Sequence, residues 1–204
     1  MEEKILQTKT YLEKKYDPQI AFLYGSFATK TFNNVSDIDC VCFAEIDHFI
    51  HDSSMIDGHV LDGWIYPIKE IENIDLIIHI IPCEVIIDKN DQSKEILNRI
   101  IKKRKENTVE MKDEEKKQLI GWIKKMIIRS TEDNLESNYR YNWLLHDFPE
   151  LYCKFKNEYY DGPVKTIRKL QEKKDIYRKY EIVCRNKNIK ALKEMYSEII
   201  GESI

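Results

Sequence analysis

GSFATKTFNNVSDIDCVCF, residues Gly25–Phe43, decides how the chain is read. It follows one apolar run, QIAFLYG (Gln19–Gly25), and leads into another, Asp37–Ala44. Two such runs joined by a short polar connection read as neighbouring strands. Gly25 allows a tight backbone turn and the close approach of another group. From Ser26 to about Lys30 a short helix is expected, and Asn33-Asn34 signals a turn. Asp37 and Asp39 lie two apart on the second strand, so they share a face, about 6–7 Å from each other. Ile38, Cys40 and Cys42 then point the other way, into a core.

Two carboxylates on one face repel each other, and half-burying them calls for a cation. Oxygen-only donors suit Mg²⁺, which takes one or two carboxylates together with substrate phosphates and keeps some waters. At a helix start, Ser26 offers a hydroxyl and backbone N–H groups to an anion. Phosphate cradle and carboxylate pair become neighbours if the two strands pair. A third carboxylate would complete a two-metal site. The candidate is Asp62, which interrupts the apolar strand HVLDGWIYP, His59–Pro67. Asp57, before Gly58, is explained as a hairpin-turn residue. A cap or turn role would account for Asp37 by itself but not for Asp39, Ser26 and Asp62 together.

The chain has 204 residues, 34% charged and 42% hydrophobic, which suits one domain or two small ones around real cores. No apolar run nears the roughly 18 residues that span a bilayer. The start, MEEKILQTKTYLEKK, is helical in pattern with no signal-peptide core, so a cytoplasmic location is expected. Five cysteines without framework spacing fit that compartment, and Cys40-x-Cys42, in an apolar run, reads as small buried hydrophobes. Net charge is −3, but residues 31–90 carry −10 and residues 151–190 carry +7. An acidic part followed by a basic part suits a metal–nucleotide site, although Lys-rich helices also arise for solubility.

Past about Asp91 the apolar period changes from strand-like to helical. Helices are expected over SKEILNRIIKKRKEN, DEEKKQLIGWIKKMIIRSTEDN and the aromatic-rich NLESNYRYNWLLHDFPELYCKFKNEYY. Pro149 is expected to kink or restart the last of these. After Gly162-Pro163 two more helices are expected. The boundaries are residues 1–107 for a catalytic lobe and 108–204 for an all-helical lobe.

Gly25-Ser26, nine residues, then Ser36-Asp37-x-Asp39, with a later strand aspartate, resembles the signature of the polymerase-beta-type nucleotidyltransferase superfamily. The match covers roughly residues 19–66 and extends more loosely to residue 107. Within that superfamily the chain is similar to small bacterial enzymes that adenylylate antibiotics, such as aminoglycoside and lincosamide nucleotidyltransferases. The resemblance implies an α+β fold, a mixed β-sheet lobe flanked by helices and followed by an all-helical C-terminal lobe that closes on substrate and nucleotide. It implies Mg²⁺ on Asp37 and Asp39, with Asp62 joining them or acting as base. It implies a nucleoside triphosphate, ATP first, held by Gly25, Ser26 and Ser36. A substrate hydroxyl would attack the α-phosphorus as pyrophosphate leaves. Glu84 and Asp88 are further candidates for the base.

In the helical lobe Lys165, just after Gly162-Pro163, is the candidate phosphate contact. Tyr139, Tyr141, Trp143, His146, Tyr159 and Tyr160 are either pocket lining or core, and His146 reads first as a satisfied core histidine. Glu132, Asp133, Glu136, Asp147, Glu150 and Glu158 would favour a cationic acceptor. The implied partners are a nucleoside triphosphate and a small hydroxyl-bearing acceptor, with antibiotic resistance as the implied role. No membrane partner is expected, and a homodimer could complete an open pocket. Alternatives are transfer to a protein or RNA end, or a catalytically inactive nucleotide-binding module. The acidic pI argues against a large nucleic-acid substrate, and the intact Asp37-x-Asp39 argues against loss of catalysis.

Overall fold

In the computed structural model residues 2–108 and 110–204 are described, and the chain divides into two compact units, one ending at Lys105 and one beginning at Glu106. The first is built on one mixed sheet. Its strands are β1 (Ile20–Leu23), β2 (Ile38–Ala44), β3 (Ile50–Asp52), β4 (Met55–Ile56), β5 (His59–Pro67) and β6 (Glu84–Asp88). They are ordered β3-β5-β2-β1-β6, with β4 paired to β5. β1 runs antiparallel to β2 and β6, β2 runs parallel to β5, and β3 runs antiparallel to β5.

Alternation along β2 explains why both faces of the sheet are covered. Ile38, Cys40, Cys42 and Ala44 join Leu12 of helix α1 (Glu2–Tyr16) in one core. Val41 and Phe43 join Ile20, Phe22 and the segment Ile74–Ile80 in the other, closed by Ile96 and Ile100 of α3 (Ser93–Glu106). The Gly25 turn opens α2, only four residues long (Gly25–Ala28). Asp57 and Gly58 both adopt positive φ, 46° and 81°, as a two-residue hairpin turn requires. Sequence reading placed β5 at its observed limits but missed β3. Three residues carry too little alternation to stand out, and β3 owes its place to pairing with β5.

The second unit is helical: α4 (Asp113–Arg129), α5 (Leu135–Lys156), α6 (Pro163–Leu170), α7 (Lys174–Arg185) and α8 (Ile189–Ile200). They bury one core, with Leu144, Phe148, Leu192, Met195 and Tyr196 at its centre. Two expectations are corrected. α5 runs through Pro149 without restarting. Proline deprives the carbonyl four residues earlier, that of Leu145, of its N–H partner, and the Tyr180 hydroxyl donates to that oxygen at 3.1 Å. The segment after Pro163 forms three helices rather than two. Gln171–Lys174 buries nothing, while Leu170 and Ile176 on either side are buried and six positions apart, on different faces of any single continuous helix. No helix among the described residues is long and apolar enough to cross a membrane.

Candidate active site

The parallel pairing of β2 with β5 sets Asp39 opposite Asp62, in a register that continues through Val41 with Trp64 and Phe43 with Tyr66. Paired positions of parallel strands share a face, so both carboxylates stand on the same side of the sheet. Asp37, exposed, lies just before β2. Burial pushes the Asp39 carboxyl up to about 6, and the charges of Asp62 and Asp37 push the same way. Backbone N–H groups of Ser26 and of Asp39 itself pull against them without winning. The three aspartates thus form one electrostatic unit, short of positive charge.

On the other flank of Asp39 is the turn after β1. The Tyr24 N–H donates to the Asp39 carbonyl at 2.9 Å, which fixes the turn against β2. Gly25 has φ +68°, and a Cβ there would overlap the Asp39 Oδ2 atom. Glycine is required twice over, by backbone conformation and by space. The Ser26 amide, expected to await an anion, instead donates to the Asp39 carboxylate. Ser36 closes the Asn33–Ser36 turn: its hydroxyl accepts from the Asn33 amide at 2.9 Å, and its carbonyl accepts from His59 Nδ1 at 2.7 Å.

Asp62 has partners that sequence reasoning missed. His51 Nε2 lies 2.6 Å from its Oδ1 atom, and the Trp64 indole N–H donates to the same oxygen at 3.0 Å. Oδ1 is thereby occupied and Oδ2 is left for other work. The signal was there as alternation: Asp62, Trp64 and Tyr66 are the outward positions of β5. Asp88 has a different job from the one expected. Its carboxylate accepts from the Gln92 and Ser93 amides, both at 3.0 Å, and starts α3. Glu84 pairs with Leu23 on β6, which β1 and β2 separate from Asp62's strand.

In the helical unit Lys165 sits in the first turn of α6, its ammonium 2.9 Å from Asp161. His146 is no core residue; its side chain is 86% exposed, beside Asp147. Tyr141 is core, donating to the Val183 carbonyl at 2.8 Å, whereas Tyr139 and Trp143 are exposed. Glu150, Glu158, Tyr159 and Tyr160 border a cavity of about 300 Å³ within this unit, and the other acidic candidates do not.

The donor set fits a hard divalent cation: carboxylate oxygens only, one of them raised to about 6 by burial and then by the neighbouring carboxylates. Among the described residues no group of three or more His, Cys, Asp or Glu side chains is arranged to hold a metal ion; Mg²⁺ usually takes one or two carboxylates and completes its shell with substrate phosphates and water. The family model described as Polymerase beta, Nucleotidyltransferase matches residues 6–114. No curated protein matches the chain.

Proposed function

The chain belongs to the polymerase beta nucleotidyltransferase family, and from that premise we propose that it transfers a nucleoside monophosphate, AMP from ATP first, onto a hydroxyl of a small molecule. The observation that carries this is the pairing of Asp39 with Asp62 across β2 and β5 beside a turn that only glycine fits. Asp37 and Asp39 are the residues that would hold Mg²⁺, which when bound neutralises charge on a triphosphate, and Asp62 takes the role of base.

The absence of a side chain on Gly25 lets the Asp39 carboxylate lie against the turn on the β1 side, where the Ser26 amide donates to it. Asp62, on the β5 side, has one committed oxygen and one uncommitted oxygen. We assign the uncommitted Oδ2 the proton of the attacking hydroxyl. The new bond joins the acceptor oxygen to the α-phosphorus, and the bond to the pyrophosphate oxygen breaks. Lys165 is proposed to contact phosphate, which requires it to leave Asp161. An aminoglycoside-type antibiotic is the first acceptor to test, since the lobe that bears the aspartates is strongly acidic between residues 31 and 90.

The test is calorimetric titration of a non-hydrolysable ATP analogue with Mg²⁺, on the wild type and on Asp37→Asn/Asp39→Asn. Metal-dependent binding that the double substitution abolishes is expected. No binding of this or any other nucleotide by the folded wild type would overturn the proposal.

A further inference from the structure

The sheet lays out its groups in a fixed order: the Gly25 turn beside β1, Asp39 on β2, Asp62 on β5, and His51 on the edge strand β3. Beyond Asp62 the same face becomes aromatic. Trp64 lies 5.5 Å from Phe49 and 5.1 Å from His51, ring centre to ring centre, and Phe49 lies 5.1 Å from Tyr66. This wall is not core: Trp64 is 37% and Phe49 43% exposed. Its indole is also not free to swing, because its N–H is held by the Asp62 oxygen that His51 shares. Trp64 and Phe49 thus present an apolar surface that is held in orientation, open to solvent and tied to the Asp62 carboxylate.

We propose that Trp64, with Phe49 and His51, is the acceptor subsite, and that it takes a saccharide ring stacked by its C–H face on the indole. The inference rests on the nucleotidyltransferase reading. In an in-line displacement the nucleophile enters opposite the leaving pyrophosphate. With the triphosphate on the Gly25–Ser26 side of Asp39, the acceptor must come from the Asp62 side, where the wall stands. The indole N–H and the attacking hydroxyl would meet the same carboxylate, so the hydroxyl must project from the stacked ring itself. Saccharide rings with in-plane hydroxyls meet that demand. Their C–H face is electropositive, which suits the electron-rich indole face, and ammonium groups on the ring would gain further from the indole and the acidic surroundings.

The experiment uses the full chain and two calorimetric titrations. The first is α,β-methylene-ATP with Mg²⁺; the second adds saccharides (methyl glucoside, glucosamine and kanamycin) to the nucleotide-loaded protein. Trp64→Leu is expected to bind the nucleotide within twofold of wild type and to lose saccharide affinity at least tenfold. Trp64→Phe keeps the ring and is expected to stay within about fivefold. Phe49→Leu, a milder change at the same wall, gives an independent loss of a few-fold should Trp64→Leu not fold. A tenfold loss of nucleotide affinity in Trp64→Leu would make the wall a platform for the nucleobase and overturn the proposal. Saccharide binding that is absent in wild type, or unchanged by Trp64→Leu and Phe49→Leu, overturns it while leaving nucleotidyl transfer standing. Absence of nucleotide binding by wild type removes both.

Discussion

Two aspartates on neighbouring parts of one sheet are treated in opposite ways. Asp52, at the end of β3, is buried and saturated. Its Oδ2 accepts from the Tyr11 hydroxyl at 2.8 Å, the Tyr16 hydroxyl at 2.9 Å and the Lys15 ammonium at 3.0 Å, and its Oδ1 accepts from the Ser54 hydroxyl and amide. Burial pushes its carboxyl up, but the donors Ser54, Lys15, Tyr11 and Tyr16 outweigh that and hold it well below the usual range. Asp39 is partly buried too, yet it gets two backbone N–H groups and two like charges, and its carboxyl rises to about 6. The fold can supply a buried carboxylate with a cation when its purpose is structural, as it does with Lys15. Leaving Asp39 without one is costly for the folded state.

The sharpest way to break the comparison is to exchange charge for shape at Asp39. Asp39→Asn keeps the volume and removes the repulsion. Transfer activity is expected to fall at least about a thousandfold, the scale of losing a charged group that acts in the transition state, while metal-free thermal stability at pH 7 rises. A destabilised variant would show that Asp39 is held as Asp52 is. The counterpart, Asp52→Asn, should do the reverse. It leaves the half-exposed Lys15 ammonium and two hydroxyls facing a weaker acceptor, at about 2 kcal/mol by the scale of hydrogen bonds to charged groups. Turnover measured well below its melting temperature should stay near wild type.

The same contrast should appear in pH. Asp39 holds its proton in the folded state between about pH 4, where an ordinary aspartate releases it, and about pH 6. Stability from this site is therefore lost as pH rises through that window, by about 1–2 kcal/mol after allowance for partial exposure. Asp52 has the opposite sign: its contribution is present above the ordinary carboxylate range and disappears as pH falls below it. Denaturant melts from about pH 2 to pH 7 without metal would separate the two. Asp39→Asn should remove the decline towards neutral pH, and Asp52→Asn should weaken the protein chiefly at the upper end.

Of the two sites the sequence displayed one. Asp37, Asp39, Gly25 and Asp62 stood out because a charge in an apolar strand, or a glycine at its end, is locally conspicuous, and β5 stood out because nine residues alternate cleanly. Asp52 was invisible. Its partners lie 36 to 41 positions away on α1, or two along the chain at Ser54, and no local pattern announces a network closed by tertiary packing. The wall beside Asp62 was half visible, since Trp64 could be seen in its strand but not that β3 would bring His51 to it. Pro149 misled for the same reason: the donor that rescues its helix, Tyr180, is 35 residues from the carbonyl it serves.

The smallest test asks whether the Asp52 network has slack. Tyr16→Phe removes one hydroxyl that donates to Oδ2, leaving Lys15 and Tyr11 on that oxygen and Ser54 on the other. The ring stays packed, so only the hydrogen bond is lost, at about 1 kcal/mol. Tyr11→Phe should lose more than that, because the Tyr11 hydroxyl also lies 2.6 Å from the Lys15 ammonium and 2.7 Å from the Ser54 hydroxyl. If the donors act independently, the double variant loses the sum of the two. If Asp52 is over-supplied, each single loss is absorbed and the double variant loses more than the sum. Denaturant melts of the four proteins decide between these outcomes. The second would mean that the fold holds donors in reserve for its structural aspartate a strand away from Asp62, where it supplies so few to the pair it leaves exposed to a ligand.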